Sequence, residues 1–190
     1  RNSPLIGKLS DYQKLYREFS GGNPCLLAGT NTLPSNKGKF VRNGNLDYTT
    51  DAAIGCFSTA SKDARVVFVN GDLTISKNIN SGLPLVFIVS GNIVIRPAVT
   101  EVNAVLLANR SIGDTPASSN QLKVKGGVIG ALSDISGDGV LLYRDLGNNC
   151  ALGACNQNDP AEELTFQPKY LYLLTEYLGV FVSTYREVNP

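Results

Sequence analysis

A twelve-residue pattern occurs twice in this chain of 190 residues. Residues 65–76 read RVVFVNGDLTIS, and residues 85–96 read LVFIVSGNIVIR, so the two copies align without a gap. In each copy a β-branched run, a glycine and a second β-branched run follow one another. Both runs are too short for helices and are predicted to be strands. We expect Gly71 and Gly91 to supply a backbone bend between them.

Weaker copies of the pattern flank these two. Residues 40–48 overlay residues 67–75, while residues 103–112 and 122–131 again show an apolar strand, a polar corner and an apolar return. In the last copy, Gly126-Gly127 is predicted to form the corner. A period near 20 residues is typical of a solenoid, in which successive coils stack and bury a continuous interior.

The repeat therefore predicts a mainly β fold, a short parallel β-solenoid of about five coils with helical caps at both ends. Phe68 and Ile88 are expected to occupy the same inward position in adjacent coils and to touch. Thr74, between two inward residues, is expected to face outward. The alternative is an antiparallel β-sandwich with Asn-Gly as hairpin turns.

The two ends of the chain differ from the middle. Residues 10–19 combine a capping candidate with apolar residues at helical spacing, which predicts a short amphipathic helix. We expect this helix to cover one end of the stack. Residues 168–178 begin with proline and precede a glycine, which predicts a second helix. Residues 180–188 are predicted to form a closing strand.

These predictions divide one structural domain into three segments. Residues 1–35 are the N-terminal helical cap, residues 36–145 are the β-solenoid core, and residues 146–190 are the C-terminal capping segment. Caps are expected because an open coil exposes backbone groups that recruit other chains.

Composition excludes several classes of function. The 17 basic and 16 acidic side chains give a net charge of +1, so nucleic acid is not an expected partner. The chain has no histidine, which excludes serine triads, cysteine–histidine pairs and imidazole-bound metals. No run approaches the ~20 apolar residues of a spanning helix. Membrane association is therefore expected only through an anchor absent from this chain.

The four cysteines are Cys25, Cys56, Cys150 and Cys155. An even number in Gly-, Asn- and Thr-rich surroundings favours disulfides in an oxidising compartment. Three pairings are possible, and we favour Cys25 with Cys56 and Cys150 with Cys155, which are neighbours in the sequence. The alternatives are reduced, buried thiols in a cytosolic protein and a zinc site without histidine.

One cluster of oxygen-bearing side chains resembles a calcium loop. Asp134, Ser136, Asp138 and Asp145 occupy places 1, 3, 5 and 12, with Gly139 at place 6. The pattern is partial, because place 12 holds the shorter aspartate. We predict a polar loop and no cofactor, with calcium as the alternative. The same aspartates are the candidates for polysaccharide cleavage, which needs two carboxyl groups with different pKa values across a cleft.

Four tyrosines near the C-terminus offer a second possible binding surface. They are Tyr170, Tyr172, Tyr177 and Tyr185. Aromatic rings of this kind stack on sugars, but their helical spacing favours packing against a core.

Four short motifs follow one another in the last third of the chain. They are LYRDLG at 142–147, DPAE at 159–162, FQPKY at 166–170 and YREVNP at 185–190. In this order they resemble the ending of a family of uncharacterised extracytoplasmic surface proteins of candidate-phylum, Patescibacteria-like bacteria, which has a stacked-strand region before this terminus. Tyr185 stands where that family has tryptophan. The resemblance covers residues 66–190 and implies a surface location without assigning catalytic residues.

Together these features predict a secreted or cell-surface β-solenoid module, located outside the cell and without enzymatic activity. Its expected role is adhesion or structural assembly of an envelope or filament. The expected partners are surface polysaccharide or other envelope and filament proteins. The alternative is a carbohydrate-active domain that binds or cleaves polysaccharide.

Overall fold

The protein is mainly β in the part of the chain that the computed structural model describes. That part comprises residues 12–19, 24–29, 31–53, 64–80, 82–114, 120–131, 139–146 and 160–170. Helix α1 spans Tyr12–Phe19. Fifteen strands follow in the described residues: β1 (Cys25–Leu26), β2 (Thr32–Pro34), β3 (Gly38–Asn43), β4 (Leu46–Tyr48), β5 (Thr50–Ala52), β6 (Arg65–Asn70), β7 (Leu73–Ile75), β8 (Leu85–Val89), β9 (Ile93–Ile95), β10 (Glu101–Val102), β11 (Val105–Ala108), β12 (Ile112–Asp114), β13 (Leu122–Ile129), β14 (Val140–Leu141) and β15 (Glu162–Phe166).

All strand pairs in these described ranges are parallel. The first sheet joins β1, β3, β6, β8, β11 and β13 in that order, and the N-terminal half of β13 also pairs with β10 and β15. The second sheet has the order β14, β12, β9, β7, β4, and β2 pairs with β5. This topology is consistent with a β-solenoid, and the antiparallel sandwich is wrong for these residues. β13 is one continuous strand, without the corner predicted at Gly126-Gly127.

The repeated strands pair in the register that the sequence alignment predicts. Phe68 lies beside Ile88, and Leu73 lies beside Ile93. Strands β3 and β4 extend the two ladders in the same register. The pattern recurs because each copy must match the side chains of the copies on either side of it.

The glycines of the repeat are required by the closeness of neighbouring coils. A Cβ added at Gly91 would lie 2.1 Å from Oδ1 of Asp72 and 2.9 Å from the carbonyl oxygen of Gly71. A Cβ added at Gly71 would lie 2.7 Å from Oδ1 of Asn45. Neither glycine has a positive φ. Both glycines lie at a bend between their two strands, as predicted. The close approach of the preceding coil explains why neither position can carry a side chain.

Polar side chains beside these glycines connect the coils. Oδ1 of Asn45 accepts a hydrogen bond from the backbone N–H of Asp72 at 2.9 Å, and Oδ1 of Asp72 accepts one from the backbone N–H of Asn92 at 2.7 Å. Oδ1 of Asn92 accepts from the backbone N–H of Ser111 at 3.3 Å. Each side chain thus satisfies a corner donor of the following coil that the strand ladders leave without a partner.

The interior of the protein lies between the first and second sheets. Alternate residues of the repeated strands enter it, including Val67 and Phe87 from the first sheet and Leu73 and Ile93 from the second. Thr74, between two buried neighbours in β7, is only partly buried, as the alternation of a strand predicts.

The outer face of the first sheet is also apolar, and α1 packs on it. Tyr12 and Leu15 of α1 share a buried cluster with Phe68 and Ile88, and the ring of Tyr16 meets that of Phe68 edge to face at 5.4 Å. Burial on both faces explains why β6 and β8 are apolar at nearly every position. Two predicted positions are therefore wrong. The helix covers a face of the first sheet instead of an end of the stack, and Phe68 and Ile88 point toward the helix instead of into the interior.

The described residues also include parts of both segments predicted as caps. β1 and β2 precede residue 36, and β15 follows residue 145. All three pair with strands of the predicted core. Residues 168–170 are helical, beginning at the predicted proline. The rest of that predicted helix and the predicted strand at 180–188 lie outside the described residues. Within the described part of the chain, no helix has the length and apolar character needed to cross a membrane.

Candidate functional site

The predicted disulfides involve one described residue. Cys25 is buried in β1 and is disulfide-bonded. Cys56, Cys150 and Cys155 lie outside the described residues. Both pairings, and the compartment that they imply, stay predictions.

The predicted calcium loop lies mostly outside the described residues. This applies to Asp134, Ser136 and Asp138, whereas Asp145 is described and exposed. In the described ranges, no three acidic, cysteine or histidine side chains come together as a metal site requires. Calcium binding and carboxylate catalysis at these aspartates are therefore untested.

Of the four C-terminal tyrosines, only Tyr170 is described. It is buried against the outer face of the first sheet, and burial raises the pKa of its phenol. Its ring packs against the protein and is not available to stack on a sugar.

A polar cavity lies where β2 and β5 meet the start of β6 and the segment after β7. Its volume is about 360 Å³. All of its lining residues carry polar side chains: Ser35, Tyr48, Asp51, Arg65, Lys77, Asn78 and Asn80. We call it the Arg65 cavity. None of these residues was a candidate in the sequence analysis.

Arg65 is the least exposed residue of this cavity. Its side chain is 2% exposed, because it begins β6 on the face that carries interior side chains. Nη1 donates a hydrogen bond to the carbonyl oxygen of Pro34 at 2.7 Å and lies 3.7 Å from Oδ1 of Asp51. Nε and Nη2 are buried and have no hydrogen-bond partner. Each such buried donor costs about 1–3 kcal/mol.

Asp51 is held by several of its neighbours in the cavity. Its Oδ2 accepts hydrogen bonds from Oη of Tyr48 at 2.8 Å and from Nζ of Lys77 at 3.3 Å. Burial and this hydrogen bond raise the pKa of Tyr48, so its phenol is neutral at neutral pH. Burial lowers the pKa of Arg65, against the opposing effect of Asp51, but a guanidinium remains protonated at neutral pH. Arg65 and Lys77 together exceed Asp51 by one positive charge.

A second buried arginine shows what a fully satisfied guanidinium looks like in this fold. Nε of Arg144 donates to Oδ2 of Asp114 at 3.0 Å, in an ion pair with both side chains fully buried. Nη1 donates to the carbonyl oxygen of Asn120 at 2.9 Å, and Nη2 donates to that of Arg96 at 3.0 Å. Arg144 therefore ties several coils together, whereas Nε and Nη2 of Arg65 are buried without a hydrogen-bond partner.

One signal in the sequence does distinguish Arg65. In the ungapped alignment of the two copies, Arg65 stands opposite Leu85, which belongs to the interior cluster. A charged residue at an interior position of a repeat is unusual and requires a partner. The three-dimensional proximity of Asp51 and Lys77 has no counterpart in the sequence pattern.

Exposed apolar side chains form a second candidate surface. Five large hydrophobic residues are exposed in the described part of the chain, and all lie on or beside the first or last strands: Leu26, Val140, Tyr143, Leu164 and Phe166. Leu164 and Phe166 of β15 are 54% and 57% exposed and border a groove of about 170 Å³ that reaches β13. We call β1 the N-terminal end of the stack, and β14 with β15 the C-terminal end.

No family model, no curated protein and no solved structure matches this chain. The described residues show a mainly β fold with parallel strands, a polar cavity with a buried arginine, and exposed apolar residues at both ends of the stack.

Proposed function

We propose that this chain is a non-enzymatic β-solenoid module of a secreted or cell-surface protein, acting in adhesion or in the structural assembly of an envelope or filament. The in-register parallel strands of the repeat support the stacked-coil architecture. The disulfide at Cys25 supports an oxidising compartment. The order of the C-terminal motifs supports a surface location.

The observation that carries the assembly role is the position of the exposed apolar residues. Leu26 lies at the N-terminal end, and Leu164 and Phe166 lie at the C-terminal end. Edge strands with exposed apolar side chains are templates for pairing with another chain. Because the two ends differ, a second copy that continues the stack makes a head-to-tail contact, which repeats into a filament.

The double variant Leu164→Lys with Phe166→Lys tests this assembly. We expect the unmodified protein to associate with rising concentration in sedimentation velocity and the variant to remain monomeric, because two charges would be buried in the contact. Thr74→Lys, on the outer face of the second sheet, is the matched control and should associate normally. An unmodified protein that stays monomeric, or a variant that associates equally well, would contradict the proposal.

The carbohydrate-active alternative has one supporting observation, the hydrogen-bonding side chains of the Arg65 cavity. A glycan array followed by a reducing-sugar assay separates the two functions. Reproducible cleavage of a bound glycan would overturn the non-enzymatic proposal, whereas binding without cleavage agrees with an adhesion role.

A further inference from the structure

We propose that the Arg65 cavity binds a small hydroxylated carboxylic acid, with the carboxylate on Arg65. This inference goes beyond the proposed function, and the residues that line the cavity do not include the exposed apolar residues of β1 and β15. Assembly of the stack and binding in the cavity can therefore fail independently.

The donors that Arg65 leaves without a partner define the chemistry of the ligand. Nε and Nη2 are the two unpartnered nitrogens, while Nη1 is bound to Pro34. In a guanidinium, Nε–H and one N–H of Nη2 point to the same side and form a planar fork. This fork matches the two oxygens of a carboxylate in parallel hydrogen bonds.

The charges of the cavity favour a single negative charge on the ligand. Arg65 and Lys77 are cationic, and Asp51 is anionic, which leaves one positive charge to neutralise. Inorganic phosphate carries more charge at neutral pH and would lie close to the Asp51 carboxylate, which is 3.7 Å from Nη1 of Arg65. A monocarboxylate neutralises the site without that repulsion.

The remaining lining residues favour a hydroxylated ligand over an apolar one. Ser35 and Asn80 both line the cavity and are exposed, so their hydroxyl and amide groups can be reached by a ligand. Asn78 is instead occupied, because its amide binds Thr100 through both Nδ2 and Oδ1. The volume of about 360 Å³ lies at the lower limit of ligand sites, about 300–1,000 Å³, which suits a ligand of monosaccharide size.

The first experiment compares four probes by isothermal titration calorimetry: glucuronate, glucose, N-acetylglycine and inorganic phosphate. We expect saturable binding of glucuronate, weaker binding of N-acetylglycine, and none of glucose, which lacks the carboxylate. Glucuronate affinity should fall as the pH drops through the ligand's own carboxyl pKa, near 4 for an ordinary carboxyl group. Absence of glucuronate binding, or phosphate binding as tight as that of glucuronate, would overturn the proposal.

The second experiment uses variants of the cavity. Arg65→Lys keeps the charge but loses the fork, and we expect at least a tenfold loss of glucuronate affinity in a variant that still folds. Lys77→Met, at an exposed position, should weaken glucuronate binding several-fold. If Arg65→Lys does not fold, the affinity of Lys77→Met for glucuronate tests the site instead. Lys123→Met, another exposed lysine that does not line the cavity, is the control. Equal glucuronate affinity in Lys77→Met and Lys123→Met would contradict the site.

Discussion

The residues at the corners between the two sheets show how closely the coils approach. Gly91 has no room for a Cβ because Asp72 and Gly71 of the preceding coil lie against it. Asp72 in turn binds the backbone N–H of Asn92. The glycine and the following Asp or Asn therefore act together: the first allows the approach, and the second supplies the hydrogen bond that the approach permits.

Gly91→Ala should destabilise the protein by about 1–3 kcal/mol, the usual cost of overpacking. The added methyl group would meet Oδ1 of Asp72, and the corner hydrogen bond to Asn92 would be disturbed. Urea denaturation followed by circular dichroism measures the change. Gly82→Ala is the control, because a Cβ there has nothing within 4 Å, and its change should stay within about 0.5 kcal/mol. Equal losses in both variants would contradict the close-approach explanation.

At this scale the sequence indicated which residues matter but not always why. The alignment of Gly71 with Gly91 marked the corners, but an amino-acid sequence does not show how closely neighbouring coils approach each other. Arg65 was not a candidate in the sequence analysis, although it stands opposite Leu85 in the alignment of the two copies. The approach of Asp51, which lies on a different strand, depends on how β5 folds back toward β6, and no local pattern encodes that.

Among the elements, the first sheet differs from the second because both of its faces are buried. Strands β6 and β8 are buried at every apolar position, whereas β7 and β9 alternate between buried and partly buried residues. The difference follows from α1, which packs on the outer face of the first sheet. The sequence predicted the strands and their register. It placed Phe68 inside because a continuous apolar run does not tell one face from the other.

Phe68→Ala should destabilise the protein by about 3–5 kcal/mol, as expected for a fully buried phenylalanine. Because the ring of Phe68 contacts that of Tyr16, removing it should loosen the packing of α1 on the first sheet. Amide hydrogen exchange of residues 12–19 should therefore become faster. Thr74→Ala, on the outer face of the second sheet, should change stability by about 0.5 kcal/mol or less. Loss of stability with unchanged exchange in α1 would place Phe68 in the interior instead.

At the scale of the whole molecule, the cysteines lie in the first and last thirds of the sequence. Cys25 belongs to β1, Cys56 falls between β5 and β6, and Cys150 and Cys155 follow β14. The disulfide at Cys25 holds β1, which is the N-terminal end of the stack. The sequence provided the even cysteine count and the preferred pairing, but three of the four residues lie outside the described part of the chain.

Mass spectrometry of the non-reduced protein should detect no alkylatable thiol, with peptide bridges linking Cys25 to Cys56 and Cys150 to Cys155. These pairs are expected because each joins two cysteines that are neighbours in the sequence. Reduction followed by alkylation is the control and should reveal four thiols. Four alkylatable thiols before reduction would contradict both the pairing and the secreted location.

Helix α1 precedes in the chain every strand on which it packs. Its eight residues are too few to form a stable helix alone in water, where about 12–15 residues are marginal. Phe68, Ile88 and Leu107, which it contacts or shares a cluster with, are synthesised later. During translation the apolar side chains of α1 therefore stay exposed until the first sheet has been synthesised and folded. This segment is made first but becomes ordered late. A chaperone that binds short apolar segments would meet α1 in that interval, and a bulky fusion before α1 would slow its final docking more than the stacking of the coils.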